Sequence, residues 1–291
     1  MGVIRAVLSL LRPGHWIKNL LVLLPLFFAG QADDPRKLAA ALLAAAALCL
    51  VASGIYVLND LLDVEFDRLH PRKRQRPLAA GRIPVSAAWL LSLASIAAGL
   101  GIAAQAAWPT VVTVGAYLAL NVAYCLGLKH QAIVDVFSVA TGFVLRVLAG
   151  GQATGIAVSP WLVIMTFLLA LFLVLGKRRD DLAIADPTAA GMRPALRGYT
   201  VPFVDVCMGL LTSLLAMTYI LYCLSPEVVQ RRHGQWVYLS SVLVLAGIFR
   251  YLQIAIVRQG TFCPTQVFLQ DRFIQAVVLL WVMFFVQIIY L

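Results

Sequence analysis

The sequence predicts an all-α polytopic membrane protein, a bundle of nine transmembrane helices with a cytoplasmic N-terminus. Three observations carry this. The 291 residues are 62% hydrophobic and 12% charged, with a mean hydropathy of +0.90. A soluble domain carries about 25% charged residues, so too few polar groups exist here to cover a soluble core. Apolar runs of about 20 residues, the length that crosses a hydrocarbon core, recur along the chain. The 23 Lys and Arg residues, finally, gather on alternate links between those runs.

The elements follow in order. "MGVIRAVLSLLRP" lacks an apolar region followed by a small-residue cleavage site, so no cleavable signal is expected. It reads as a short interfacial helix with Arg5 and Arg12 among the headgroups. The nine spans fall near 16–31, 38–58, 84–104, 108–128, 132–151, 159–176, 202–224, 236–257 and 272–291. The first and sixth are short, and Pro25 should kink the first. With the N-terminus inside, 17 bases lie on the cytoplasmic side, and only Arg36, Lys37, Arg231 and Arg232 lie outside. That bias sets the orientation.

The whole chain, 1–291, reads as one transmembrane domain with two long charged cytoplasmic loops, at about 59–83 and 177–201. No soluble basic domain is present to hold nucleic acid, so the net charge of +10 reports orientation first and an anionic ligand second. Cys49, Cys125, Cys207 and Cys223 fall in or at the ends of apolar runs, and no C-x-x-C occurs. They and Cys263 argue against a disulfide or zinc framework.

Residues 56–84, "YVLNDLLDVEFDRLHPRKRQRPLAAGRIP", hold four acids and six bases. Asp60, Asp63 and Asp67 sit at i, i+3 and i+7, on one face of a helix, with Asn59 beside Asp63 and Glu65 pointing elsewhere. Three carboxylates on one face repel and need a counter-charge, although a lone Asp at a helix end is commonly a solvated cap. Oxygen ligands without Cys or His suit a hard cation, Mg²⁺ first, with Mn²⁺ as the alternative. Pro71 and Pro77 stop the helix, so Arg68, Lys73 and Arg76 can fold back toward the acids. Carboxylates holding a metal, ringed by Arg and Lys, form a diphosphate site. The bland alternative is a basic anchor that only sets topology.

"NDLLDVEFDR" resembles the first Asp-rich motif of the UbiA superfamily of intramembrane prenyltransferases, whose plan is also nine spans with the N-terminus inside. The set "HPRKRQRPLAAGRIP", "RPGHWIKNLLVLLPL", "YCLGLKHQAIVDVFSVATGFVLRVLAGG", "FLVLGKRRDDL" and "DRFIQAVVLLWV" resembles its decaprenyl-phosphate phosphoribosyltransferase branch over nearly the whole chain. The resemblance implies transfer of 5-phosphoribose from phosphoribosyl diphosphate to a polyprenyl phosphate at the inner face of a bacterial cytoplasmic membrane. The product would be a precursor of lipid-linked arabinose for cell-wall synthesis. It also implies that Lys18 is a phosphate ligand and that Tyr124 and Lys129 form a loop facing the diphosphate. Ordinary members of the superfamily carry a second motif, D-x-x-x-D. Here Asp181 matches its final acid, but Lys177 stands where the first would be, which suits an extra phosphate on the substrate.

Asp135 and Arg146 share one face of the fifth span, about 16 Å apart along the axis, too far to pair with each other. Arg250 could meet the lipid phosphate or pair with a carboxylate. Two other readings stand. One is transfer of an isoprenoid from its diphosphate to an aromatic or other acceptor. The other is a transporter or flippase, against which the sided clustering of carboxylates argues. A homo-oligomer stays open.

Overall fold

The computed structural model describes residues 3–69, 73–184, 194–230, 234–257 and 264–290. All regular structure among them is helical. The chain divides into two compact units, residues 1–130 with 141–158, and residues 131–140 with 159–291.

In the first unit, α1 (Val3–Leu11) is followed by a 3₁₀ segment, Pro13–Leu23, and by α2 (Leu24–Phe28). The long α3 (Pro35–Leu62) begins under an Asp34 cap, whose carboxylate accepts from the Arg36 and Lys37 amides. It ends at Asp63, and α4 (Val64–Leu69) follows at once. Then come α5 (Val85–Ala106), α6 (Trp108–Leu126) and α7 (Val134–Thr154), the last of which runs through both units.

Small residues let α3 and α5 approach closely. A Cβ on Gly54 would stand 2.8 Å from the Ser92 carbonyl, and one on Gly99 would stand 2.7 Å from the Ala47 carbonyl. Ser92 Oγ donates to the Gly54 carbonyl at 2.8 Å. Close backbone approach through Gly, Ala and Ser is how helices associate where lipid removes the hydrophobic drive between them. Gly150 on α7 lies against Val22, where a Cβ would fall 1.9 Å from the carbonyl oxygen.

The second unit holds α8 (Pro160–Ile184), α9 (Val201–Cys223), α10 (Pro226–Val229), α11 (Ser240–Ile256), α12 (Pro264–Gln270) and α13 (Arg272–Tyr290). Tyr219 Oη and Ser240 Oγ lie 2.7 Å apart, and Trp281 Nε1 donates to Tyr219 at 2.7 Å. These bonds tie α9, α11 and α13 through the buried Tyr219 and Ser240 side chains.

Among the described residues, eight helices are long and apolar enough to cross a membrane. They correspond to the second through ninth predicted spans. The first predicted span differs: Pro13, Gly14 and Pro25 punctuate it, and it forms a 3₁₀ run with only five α-helical residues. The sixth also differs. α8 continues to Ile184, so "KRRDD" lies on a helix and not in the loop predicted from residue 177.

α1 is partly embedded in protein. Ala6 and Leu10 are buried against Val57, Leu61, Leu78, Ile83 and Ala88, while Ile4 and Leu8 face outward. Arg5 is exposed, but Arg12 is not in the headgroup position expected of it, because its guanidinium turns inward onto Asp60.

Candidate active site

The first unit gathers charge where α3 gives way to α4. Asp60 and Asp67 are each 2% exposed, although both are carboxylates, so their charge requires compensation. Arg76 supplies it to both, donating from Nη1 to Asp60 Oδ1 at 3.0 Å and to Asp67 Oδ2 at 2.7 Å. Lys73 Nζ stands 3.8 Å from Asp67 Oδ1. The basic loop thus folds back onto the acids through Lys73 and Arg76. Arg12 adds a third cation, its Nη2 only 2.6 Å from Asp60 Oδ1.

Asp63 departs from the expected continuous stripe. It closes α3 with φ −95° and ψ 4°, values outside the helical region, and its carboxylate faces a different base. Lys129 Nζ donates to Asp63 Oδ1 at 2.7 Å and to Asn59 Oδ1 at 3.3 Å. Asn59 Nδ2 donates to Asp63 Oδ2 at 3.1 Å, the predicted i, i+4 contact. Arg68 stays outside the cluster. It sits on the exposed face of α4 and donates to Glu65 at 2.8 Å, its neighbour one helical turn away. His70, Pro71 and Arg72 lie outside the described residues.

The fit to a cation can be read from these contacts. Among the described residues, no group of three or more His, Cys, Asp or Glu side chains closes around one point. Two carboxylates, however, aim at a single cationic nitrogen, that of Arg76. Mg²⁺ uses one or two carboxylates and fills its remaining positions with water and phosphate oxygens. Asp60 and Asp67 meet that requirement, and Asp63 adds a third charge nearby.

The 3₁₀ segment runs beside α3. Trp16 Nε1 donates to Ser53 Oγ at 3.0 Å, and Asn19 Nδ2 to Cys49 Sγ at 3.2 Å. Lys18, half-buried, lies on this segment. Asn19 is fixed from its other side by Arg146, whose Nε donates to Asn19 Oδ1 at 2.8 Å. Arg146 also bonds the Gly142 carbonyl and Tyr117 Oη, both at 2.8 Å, and stacks on the Tyr117 ring. Tyr124 is half-buried in the last turn of α6.

The second unit has its own buried charges. Asp135 is fully buried and accepts from Arg178 Nε at 2.7 Å and from Tyr199 Oη at 2.6 Å. The Ile133 amide donates to Tyr199 Oη at 2.5 Å, and Ile133 adopts φ 69°, rare for a β-branched residue. Burial first, then the bond to Asp135, pushes the Tyr199 phenol above its ordinary range. Arg178 Nη1 reaches Asp181 Oδ2 at 3.2 Å. Arg179 Nε donates to Asp205 Oδ1 at 2.6 Å and Nη1 to the Ala255 carbonyl at 2.7 Å. Arg178 and Arg179 are therefore inward-facing ties between helices. Lys177 is half-buried on α8. Arg250 is engaged by Asp271, Nη2 to Oδ2 at 2.7 Å, and by Gln253.

Sequence reasoning did not single out Tyr199, Asn19 or Tyr117 as partners of buried charge, and it placed Arg12 elsewhere. Asp135 and Arg146 each needing a separate partner was the available signal.

Comparisons with known proteins give the chain its relatives. The chain is 35% identical over its whole length to the decaprenyl-phosphate phosphoribosyltransferase of Corynebacterium glutamicum, covering 87% of that protein. It is 35% identical to the protein of the same name from Mycobacterium tuberculosis, over 97% of this chain and 92% of the other. A UbiA homologue from Archaeoglobus fulgidus, solved with DMAPP and Mg²⁺, superposes with a TM-score of 0.72 at 20% identity, covering 97% of this chain and 98% of that one. The model of the UbiA prenyltransferase family matches residues 20–277. With the helical architecture and the Asp-rich segment in place, the chain belongs to the UbiA prenyltransferase family.

Proposed function

We propose that this multi-pass membrane protein transfers 5-phosphoribose from phosphoribosyl diphosphate to a polyprenyl phosphate, releasing diphosphate. The observation that carries the reading is the cluster at the α3–α4 break, where two buried carboxylates share a cation amid several bases. Full-length similarity to two decaprenyl-phosphate phosphoribosyltransferases supports the choice of donor and acceptor.

Asp60 and Asp67 hold a divalent ion, Mg²⁺ by preference. That ion, when bound, screens the negative charge building on the departing diphosphate. Arg76 and Lys73 turn from the carboxylates to the phosphate oxygens, supplying charge-assisted bonds that strengthen as the C1–O bond breaks. Lys129, which is held by Asp63 and Asn59, serves the same diphosphate. Lys18 is a further phosphate ligand. The sugar carbon gains oxocarbenium character, as in glycoside chemistry. The attacking phosphate oxygen of the lipid is already ionised at neutral pH, so no Ser–His or Cys–His pair is required.

Positive charge on alternate links favours a cytoplasmic N-terminus and a cytoplasmic site. The segment 13–28 serves as the ninth crossing. Its eleven 3₁₀ residues and five α-helical ones, at about 2.0 and 1.5 Å each, reach about 30 Å, the thickness of a hydrocarbon core.

The test uses the full chain in detergent with Mg²⁺, labelled phosphoribosyl diphosphate and a polyprenyl phosphate. Label should pass to the organic phase and diphosphate should appear. Absence of transfer, together with consumption of a prenyl diphosphate and an aromatic acceptor, replaces this reading with prenyl transfer. Absence of both, with substrate-dependent flux in vesicles, replaces it with transport.

A further inference from the structure

The cluster at the α3–α4 break contains one base that the sequence had placed at the lipid headgroups. We propose that Arg12 is a ligand of the donor's diphosphate, and that it moves from Asp60 to phosphate as the metal enters. Metal and donor then bind as a coupled pair. This deepens the proposed function and rests on the reading of the cluster as a site for a metal-bound diphosphate.

Three observations aim Arg12 at this task. α1 is fixed by Ala6 and Leu10, so the end of the helix is a defined point. The chain then turns at Arg12 with φ 51° and ψ 56°, a left-handed conformation that a non-glycine residue rarely adopts. Such strain persists where the surroundings over-determine it. The guanidinium carbon sits 5.2 Å from the centroid of the Tyr56 ring, and Nη2 sits 2.6 Å from Asp60 Oδ1. Turn and ring together direct the charge to the oxygen that Arg76 also holds.

Charge then dictates coupling. Asp60, Asp63 and Asp67 carry −3, and the four bases paired with them carry +4. A divalent ion added alone raises the sum from +1 to +3 and meets two guanidinium groups on its own ligand oxygen. A diphosphate added alone finds its cations engaged by carboxylates. Added together, the metal takes the carboxylates, and the freed guanidinium groups take the phosphate. Each therefore strengthens the other, as any coupling between two sites must be reciprocal. Arginine suits the exchange, because its planar fork matches carboxylate and phosphate alike.

The experiment titrates Mn²⁺ by electron paramagnetic resonance against the detergent-solubilised full chain, with and without inorganic diphosphate. In the wild type, diphosphate should tighten Mn²⁺ binding at least tenfold. In Arg12→Ala, Mn²⁺ alone should bind several-fold tighter and the enhancement by diphosphate should fall roughly tenfold, with Arg12→Lys between the two. In turnover, KM for the donor should rise roughly ten- to hundredfold, the worth of one charge-assisted hydrogen bond, while KM for the acceptor stays constant. An Arg12 that only neutralises Asp60 would lower the melting temperature of Arg12→Ala and leave the diphosphate enhancement intact. That result overturns the proposal, as does a wild type showing no enhancement. The Mn²⁺ arm uses neither ribosyl donor nor lipid. Coupling without phosphoribosyl transfer would therefore overturn the proposed reaction and leave the role of Arg12 standing.

Discussion

Replacing Asp135 by alanine should be among the most damaging single changes in the second unit. The carboxylate is fully buried and holds two donors, Arg178 Nε at 2.7 Å and Tyr199 Oη at 2.6 Å. Its loss leaves a guanidinium 4% exposed without its principal counter-charge. Breaking a buried pair from one side costs about 3–5 kcal/mol, and an orphaned hydroxyl adds about 1 kcal/mol. Asp181, 3.2 Å from Arg178 Nη1 and 31% exposed, offers a weaker partner. A net loss of about 4 kcal/mol follows. Asp135→Leu combined with Arg178→Met removes both charges and refills the volume, and it should recover most of that loss. The assay is thermal unfolding in detergent across the double-mutant cycle, read by near-ultraviolet circular dichroism. A single variant that melts like the wild type, or a double variant that merely sums the two singles, would refute the argument.

Other expectations follow from the same contacts. Asp60→Asn and Asp67→Asn should each abolish transfer while keeping a monodisperse elution profile and helical circular dichroism; wild-type turnover in both would remove the metal assignment. Gly150→Ala places a methyl 1.9 Å from the Val22 carbonyl, forcing the first segment away from α7. It should cost about 3 kcal/mol or more in stability, and an unchanged melting temperature would contradict that packing. Tyr199 has a raised pKa in the folded protein, so its contribution is complete below the unfolded value of about 10 and declines as pH rises through the higher folded value. Wild type should therefore lose stability relative to Tyr199→Phe above about pH 10; parallel melting profiles from pH 8 to 11 would count against it. Glu65→Gln should change neither stability nor transfer measurably, because its pair with Arg68 is exposed.

Local signals carried much of the architecture. Apolar runs of fixed length announce α5, α6, α9 and α13, because length and polarity decide a membrane crossing. Asn59, Asp60 and Asp63 are legible as neighbours because they lie within one helical turn. The return of Lys73 and Arg76 is legible from the prolines around them. Contacts between distant residues were not. Arg178 is 43 residues from Asp135, and Arg12 is 48 from Asp60. The pattern of "KRR" fits a solvated anchor as well as an inward pair, and only tertiary packing separates them. The 3₁₀ winding of Pro13–Leu23 was equally hidden. Its polar residues, His15, Lys18 and Asn19, are too few and too closely spaced to tell a period of 3.0 from one of 3.6.

Arg146 and Asp135, both on α7, show how the two kinds of charge in this protein differ. Arg146 is held by an amide oxygen, a carbonyl, a phenol and two aromatic rings, a cage of neutral acceptors around a buried cation. Asp135 is held by a guanidinium and a phenol that belong to other elements. Each is saturated by groups that stay in place, and each fastens helices. At the α3–α4 break the pairs are of another sort. Arg76 divides one nitrogen between two acids, Asp60 divides one oxygen between two bases, and the bases are 14–33% exposed where Asp60 and Asp67 are nearly sealed. Cations so placed can turn toward a phosphate once a metal ion takes over the charge of the buried acids, which must remain. A site for a polyanion and a metal needs that asymmetry, and a structural pair does not.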